Sequence, residues 1–497
     1  MDNHSKLQYL TDYLKEDILN RINYYRNIDE NSLIEESEKN VLLNFHKYAP
    51  KIKAYVKFLK EYSINIDNIK DINDFKKLPL TTKDNYISKY KFEELVTDIS
   101  YITSITSSTG STGNAFYWPK GLQKDINIAT EYELLFELNF GIKNKKTLCI
   151  ISLGLGVWNA GNITIQSSQL ISEKGYDFSF ITPGISIDEN IKILERLINS
   201  DYDQFIIVGY PSFIKDILEE ATIKGINIKD KDIFILTGGE TITEEWREYI
   251  YDLLGKKNNN KRVSSLIGTS EGGVIAIETE FINFIKKEIL NNEALLSKFF
   301  HVNFVPTLMQ YDPQINYLEE INSSIILSNF DIFSLIRYDT KDSGGIFLKD
   351  DLIKLFNIKI PQSINILNLP IIYIKGRSDV ALTLYAVNIY IDHLKQITYS
   401  KDLLSLITGR FQSYIEYDNR QNQKFYLKLE CNKHVILSNE KKEYIRNYVV
   451  DKLRKLNSEY NKLYESVGDK VAPIIEFEEY STNNIFSHDK PKYKKIV

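Results

Sequence analysis

The stretch Thr106–Asn114, TSSTGSTGN, is built only of Gly, Ser, Thr and Asn. Such a string can wrap a polyanion, because glycine lets the backbone approach while hydroxyl and amide donors point inward. A flexible polar turn is the plainer reading. It follows a β-like run, Ile102–Ile105, and no Gly-Lys-Ser/Thr succeeds it, so it is not a Walker A loop. A second glycine-rich loop, Gly154-Leu-Gly-Val-Trp-Asn-Ala-Gly161, also follows an apolar run. There Asn159 occupies the third glycine position of a dinucleotide fingerprint and Gly161 comes two residues late, which argues against nicotinamide or flavin binding. Thr237-Gly-Gly-Glu-Thr241 and Gly268-Thr-Ser-Glu271 each trail a short apolar run, where an open parallel sheet places its ligands. Glu271 is there a candidate metal- or phosphate-associated carboxylate. Two Arg/Asp pairs, in Ile336–Asp342 (IRYDTKD) and Gly376–Asp379 (GRSD), are either surface ion pairs or a carboxylate for ribose hydroxyls and a guanidinium for phosphate.

Positioning these motifs requires an α/β scaffold. Short buried-strand runs at Thr147–Ser152, Asp177–Ile181, Phe205–Val208 and Ile233–Leu236 alternate with helical patterns at Ser186–Asn199, Pro211–Lys224 and Thr243–Leu254. That alternation predicts a large body of mostly parallel sheet flanked by helices. Apolar residues recurring at three and four predict leading helices over Leu7–Tyr25 and Leu33–Tyr62, within a helical region spanning 1–100. Ile321–Ile346 reads as strands broken by turns. After Gly376 the order changes, with apolar segments at 403–416 and 424–430, a helix at Asn439–Leu456 and a final strand near Pro473–Glu478. The reading is a body of residues 1–375 and a small α+β domain of residues 376–497. Lys256–Arg262 is expected to be a solvated loop.

Composition narrows the function classes. The 497 residues are 43% hydrophobic and 26% charged, as in a globular protein. A formal net charge of −5 offers no basic field for nucleic acid or an anionic membrane. Two cysteines, Cys149 and Cys431, are too few for a disulfide scaffold, and no histidine pairs with cysteine or carboxylate at metal-ligand spacing. Neither a signal peptide nor a membrane span is apparent, so a cytoplasmic protein is expected.

In this order the motifs resemble the adenylate-forming superfamily of acyl- and aryl-CoA synthetases, and most closely its phenylacetate-CoA ligase-like branch. TSSTGSTGN resembles the family's phosphate loop, which implies ATP phosphate contacts from Ser108, Thr109, Gly110, Ser111, Thr112 and Gly113. TGGET is similar to the adenine-pocket segment (Gly238, Gly239, Glu240, Thr241), and GTSE to the motif that places Gly268, Thr269 and Ser270 at the nucleotide and Glu271 at Mg²⁺. By the same resemblance Asp342 and Arg377 bind ribose and phosphate, Asp379 is the hinge, and Lys492 is the C-terminal catalytic lysine. Leu78–Lys83 and Gly209–Ser212 also resemble segments of this branch. Trp158, Asn159, Asn162, Tyr210 and Pro211, placed after strands, are candidates for the acid pocket, or are turn and packing residues.

The resemblance implies ATP- and Mg²⁺-dependent activation of a small carboxylic acid to an adenylate, then transfer to a thiol, either CoA or the phosphopantetheine of a carrier protein. The oligomeric state is open, a homodimer included. The chain departs from the pattern at Asn114-Ala115, where Lys-Pro is usual, at Ile267 in place of an aromatic, and at Val380, Tyr385 and Ala386 after the hinge. Those departures keep two other readings in play: transfer of the adenylate to an amine or other non-CoA acceptor, and a non-catalytic nucleotide-binding homologue.

Overall fold

The computed structural model describes residues 3–108, 116–239, 242–256, 260–290, 292, 296–300, 305–377, 380–398, 400, 402–403, 405–432 and 435–480. Two compact units emerge: residues up to Ser107 with Tyr117–Gly376, and Arg377 onward together with Ser108 and Phe116.

The first unit opens on α1 (Asn3–Lys15), α2 (Ile18–Asn27), α3 (Glu30–Tyr48) and α4 (Lys53–Glu61). The two long helices expected here are therefore each broken. Asp17 ends the first, because its carboxylate caps a new helix by accepting from Leu19 N at 3.0 Å. Pro50, which lacks an amide and clashes with the preceding turn, interrupts the second through a 3₁₀ turn at Ala49–Lys51. Ile18, Ile22 and Tyr25 line one face of α2 and are buried in the body's core.

Strands β1 (Ser104–Ser108) and β2 (Phe116–Lys120) form a two-stranded ribbon, and α6 (Leu122–Leu135) follows the short α5 (Ile72–Phe75) in helix order. Then come β3 (Thr147–Ser152), α7 (Asn159–Glu173), β4 (Phe178–Ile181), α8 (Ile187–Leu197), β5 (Gln204–Gly209), α9 (Pro211–Ile223), β6 (Ile233–Thr237), α10 (Glu244–Leu253), β7 (Val263–Thr269) and β8 (Gly273–Ile277). The unit closes with β9 (Thr307–Gln310), β10 (Tyr317–Ile321), β11 (Ser324–Asn329), β12 (Leu335–Phe347) and β13 (Ile371–Arg377). The main sheet has 11 strands in the order β10-β11-β12-β13-β9-β8-β7-β6-β5-β3-β4. Parallel pairing runs from β4 through β3, β5 and β6 to β7, and the ladders from β7 to β8 to β9 to β13 and from β10 to β12 are antiparallel where described.

The parallel strands are buried on both faces, and their side chains alternate between two cores. Cys149, Ile151, Ile206, Val208, Phe234 and Leu236 pack with α2, α6 and α7, whereas Leu148, Ile150, Phe205, Ile207, Ile233 and Ile235 pack with α8, α9 and α10. This is why each strand reads as an unbroken apolar run. The β10–β11 hairpin turns at Asn322 and Ser323, both with positive φ, the primed turn that matches strand twist.

One expectation fails at the 256–262 loop, whose residues 257–259 lie outside the described residues. Arg262 is not solvated. It is buried over the Phe234 ring and donates to Ile233 O at 2.8 Å and to Asp232 at 2.9 Å.

The second unit has the β14 (Val380–Leu384) and β15 (Val387–Tyr390) hairpin, then β16 (Ile407–Tyr417) and β17 (Gln423–Cys431), antiparallel, with β18 (Ile474–Glu478) parallel to β17. A helix at Asn439–Leu456 buries Ile445, Val449 and Leu453 in this unit's own core. No described helix is long and apolar enough to cross a membrane.

Candidate active site

Three parallel strands, β3, β5 and β6, end on one register row that continues into the middle of β7. Ser152 of β3 faces Gly209 of β5, Gly209 faces Thr237 of β6, and Thr237 faces Ser265 of β7. The loops after β3, β5 and β6 leave from this row at one edge of the sheet, the edge where open α/β sheets bind ligands. Gly238 and Gly239 leave directly from Thr237, and Gly239 has φ +84°, which glycine adopts without steric cost. Tyr210 precedes α9 and Pro211 is its first residue, a position where proline's fixed φ suits the helix and its missing amide costs nothing.

The sequence placed Gly268–Glu271 after a strand. In the structure β7 runs on through Gly268 and Thr269, and Ser270, Glu271 and Gly272 form the hairpin turn into β8. Gly272 N donates to Thr269 Oγ1 at 2.8 Å and holds the turn shut.

Asn159, first residue of α7, ties three motifs together. Its Oδ1 accepts from Thr106 Oγ1 at 3.0 Å and from Lys120 Nζ at 3.2 Å, while its Nδ2 donates to Thr269 O at 3.2 Å. Ser107 N donates to Val157 O at 2.9 Å, and Ser107 pairs with Trp158 as an isolated bridge. The first residues of the Ser/Thr/Gly stretch, the second glycine loop and the β7–β8 turn therefore share one hydrogen-bonded neighbourhood. Asn162 has a local role, its Nδ2 bracing the glycine loop at Gly156 O, 2.5 Å away. Gly161 must be glycine for a packing reason, because a Cβ there would lie 2.2 Å from Gly154 O.

Asp342 is buried on β12, in the antiparallel part of the sheet, and its amide donates to Thr340 Oγ1 at 3.2 Å. Arg377 ends β13, and Ser108 ends β1. Thr109, Gly110, Ser111, Thr112, Gly113, Glu240, Thr241, Asp379 and Lys492 lie outside the described residues. Arg337 of the IRYDTKD stretch is no surface ion pair. Buried at φ +48°, it forks onto Glu319 at 3.0 and 2.9 Å and donates to the Leu78 carbonyl. Thr81 docks the Leu78–Lys83 segment on β12 by bonding to Arg337 O and Asp339 N.

Sequence reasoning missed a buried charge cluster behind the β7–β8 turn. Lys120, Lys124, Asp125 and Asp331 are all nearly inaccessible. Asp331 accepts from Gly121 N at 2.6 Å, and Gly121 allows this approach because a Cβ would lie 2.8 Å from the carboxylate. Asp125 accepts from Thr103 Oγ1 at 2.6 Å. Burial pushes the Lys120 and Lys124 ammonium groups down to about 8, with Asp331 and Asp125 pulling them back up. Burial also raises Asp331 to about 6 against the Gly121 and Ile332 amides and the Lys124 charge. The available signal was two lysines four apart in FYWPKGLQKDI, an otherwise largely apolar run just after the Ser/Thr/Gly stretch.

Over 93% of its length the chain superimposes, with a TM-score of 0.63 and 14% identity, on 90% of a 2-hydroxyisobutyryl-CoA ligase crystallised with 2-HIB-AMP and CoA in the thioesterification state. The two share a fold. An open conformation of that ligase with 2-HIB-AMP and CoA matches with a TM-score of 0.53 at 14% identity, covering 93% of this chain and 91% of that one. Its postadenylation state with 2-HIB-AMP gives 0.52 at 13% identity, covering 90% and 87%. No protein-family model and no curated protein matches the chain.

Proposed function

We propose that the chain is an ATP-dependent, AMP-forming acid ligase of the adenylate-forming, phenylacetate-CoA ligase-like kind, which activates a small carboxylic acid as an acyl or aryl adenylate and passes it to a thiol, CoA or a carrier-protein pantetheine. The observation that carries the reading is the near full-length likeness to a ligase crystallised with 2-HIB-AMP and CoA. Supporting it, Gly238–Gly239, Tyr210 and the second glycine loop leave one register row, and Asn159 ties that loop to Thr106 and to Thr269 beside Glu271.

In this reading a carboxylate oxygen attacks the α-phosphorus of ATP and pyrophosphate leaves, so the protein's contribution is positioning and charge neutralisation. Ser108–Gly113 supply donors to the phosphates. Gly238–Thr241 and Gly268–Ser270 flank the adenosine, Asp342 and Arg377 hold ribose and phosphate, and Asp379 is the hinge for the small domain that carries Lys492. Among the described residues no group of three or more acidic, His or Cys side chains could hold a metal. Glu271 would hold Mg²⁺ as a carboxylate sharing the ion with nucleotide phosphates, the usual mode for this ion. Bound there, Mg²⁺ neutralises phosphate charge.

ATP–pyrophosphate exchange over a panel of carboxylic acids tests the reading. Exchange with at least one acid, lowered about 10²-fold by Lys492→Ala, equivalent to about 2.7 kcal/mol, is expected. No exchange with any acid favours a non-catalytic nucleotide-binding protein. A second reading, transfer to an amine, draws on the β14–β15 turn, where Tyr385 and Ala386 put side chains at φ +46° and +64° in a turn that favours glycine. AMP release driven by amines but not by CoA or a carrier pantetheine selects it.

A further inference from the structure

Among the described residues the Glu271 side chain makes no hydrogen bond or ion pair, so its position is set by the backbone of the β7–β8 turn. That turn is tightly enclosed, since a Cβ on Gly272 would lie 2.8 Å from Thr269 Oγ1 and 2.9 Å from Leu327 Cδ2. On one side Thr269 closes the turn on itself through Gly272 N. On the other, Asn329, the last residue of β11, donates from Nδ2 to Gly272 O at 3.0 Å.

The same Nδ2 donates to Asn316 Oδ1 at 3.1 Å, and Asn316 Nδ2 donates in turn to Val274 O at 3.0 Å and to Ile275 O at 3.3 Å. Both asparagines are buried. In the described ladder β9 pairs with β8 only at Ile277, so side-chain amides meet the carbonyls at the start of β8 where a strand would otherwise stand. Gly272 is buried too, and losing the Asn329 donor leaves its carbonyl short of a partner away from water, a cost that pushes the turn to rearrange.

We propose that Asn329 is a positioning residue for Glu271: through Gly272 O it fixes the backbone that carries the carboxylate, and with it the share of Mg²⁺ binding that Glu271 supplies. This deepens the acid-ligase reading and rests on it for the metal and the nucleotide. Asn329 itself touches neither, and acts only through the turn.

ATP binding to the full-length chain is measured by calorimetry with Mg²⁺ and with EDTA, without any acid, so that no turnover intervenes; the ratio of the two affinities is the Mg²⁺ enhancement. The wild type should show an enhancement, and Asn329→Leu, which removes the donor, should lower it about tenfold while leaving the affinity in EDTA near the wild-type value. Glu271→Gln should lower it as well, and adding Asn329→Leu to Glu271→Gln should lower it no further, because a residue that acts through the carboxylate then has nothing left to act on. If Asn329→Leu does not fold, Asn329→Val, smaller and suited to a strand, takes its place in the same cycle. A merely structural role would weaken ATP binding equally with and without Mg²⁺ and in both backgrounds. That outcome, an unchanged enhancement in the Asn329 variant, or no enhancement in the wild type overturns the proposal. Pyrophosphate exchange in the wild type together with an enhancement that ignores Asn329 overturns this inference alone, whereas an Asn329-dependent enhancement without exchange on any acid overturns the ligase reading alone.

Discussion

Glu131 lies in the middle of α6 at 1% exposure, and neither of its carboxyl oxygens has a hydrogen-bond partner among the described residues. The nearby charges are Asp312 and Arg21, and Asp312 is already engaged by Tyr25, by Gln314 N at 2.9 Å and by Arg21 at 3.4 Å. Burial, and then the Asp312 charge, push the Glu131 carboxyl well above the ordinary range, and Arg21 opposes them only in part. In the unfolded chain the same group titrates near about 4.3. Below that pH the group is neutral in both states, and its cost is that of an unpaired buried carboxyl, about 1–3 kcal/mol. As pH rises above it, the unfolded chain releases the proton and the folded one does not. Stability then falls by up to about 1.4 kcal/mol per pH unit until the folded-state carboxyl ionises. Methionine has similar length and volume without the polar atoms, so Glu131→Met should remove both costs. Urea denaturation followed by circular dichroism at about pH 5, 6 and 7 should find the variant more stable at each pH, with a gap that widens by about 1 kcal/mol per unit. A gap that stays constant or closes as pH rises, or a variant less stable than wild type, would refute the reasoning.

The opposite sign is expected at Glu278. This carboxylate is fully buried between Arg247, 2.8 Å away, and Lys286, and although burial opposes the charge those cations hold it below its ordinary value. Glu278→Gln should cost about 3–5 kcal/mol at neutral pH, with the deficit shrinking as pH falls below about 4, checked by the same denaturation series. Gly161→Ala puts a methyl 2.2 Å from Gly154 O and must move the start of α7, so pyrophosphate exchange should drop about tenfold or more with overall unfolding less affected. Ala386→Gly relieves a residue at φ +64° and leaves Tyr385 in its contacts with Gln423 and Lys470, so it should raise the thermal midpoint of the second unit, a gain of about 1 kcal/mol.

The parallel half of the sheet was legible because its strands are buried on both faces: TLCIIS and the runs like it have no polar alternation to misread, and the observed strands fall within a residue or so of them. Helix ends were less legible. Asp17 and Pro50 break patterns that remain apolar at three and four, and a periodicity argument passes over a cap. At the site, the motif positions followed from strand-then-turn order, but their meeting at Asn159 depends on contacts across up to 110 residues, which spacing does not encode. Lys120 and Lys124 were missed for the same reason: their burial depends on Asp331, more than 200 residues away in the chain. Arg337 misled in the other direction, since its partner Glu319 is on β10 rather than beside it in sequence.

The row of Ser152, Gly209, Thr237 and Ser265 separates two kinds of constraint. Behind it, side chains on both faces are locked in packed cores, and a slip of one residue would turn every strand inside out. Beyond it, the described loop residues are held by a few individual contacts, such as those of Asn159, Gly161 and Asn162. Substitutions at loop positions that make none of those contacts can therefore accumulate without disturbing the packed strands behind them.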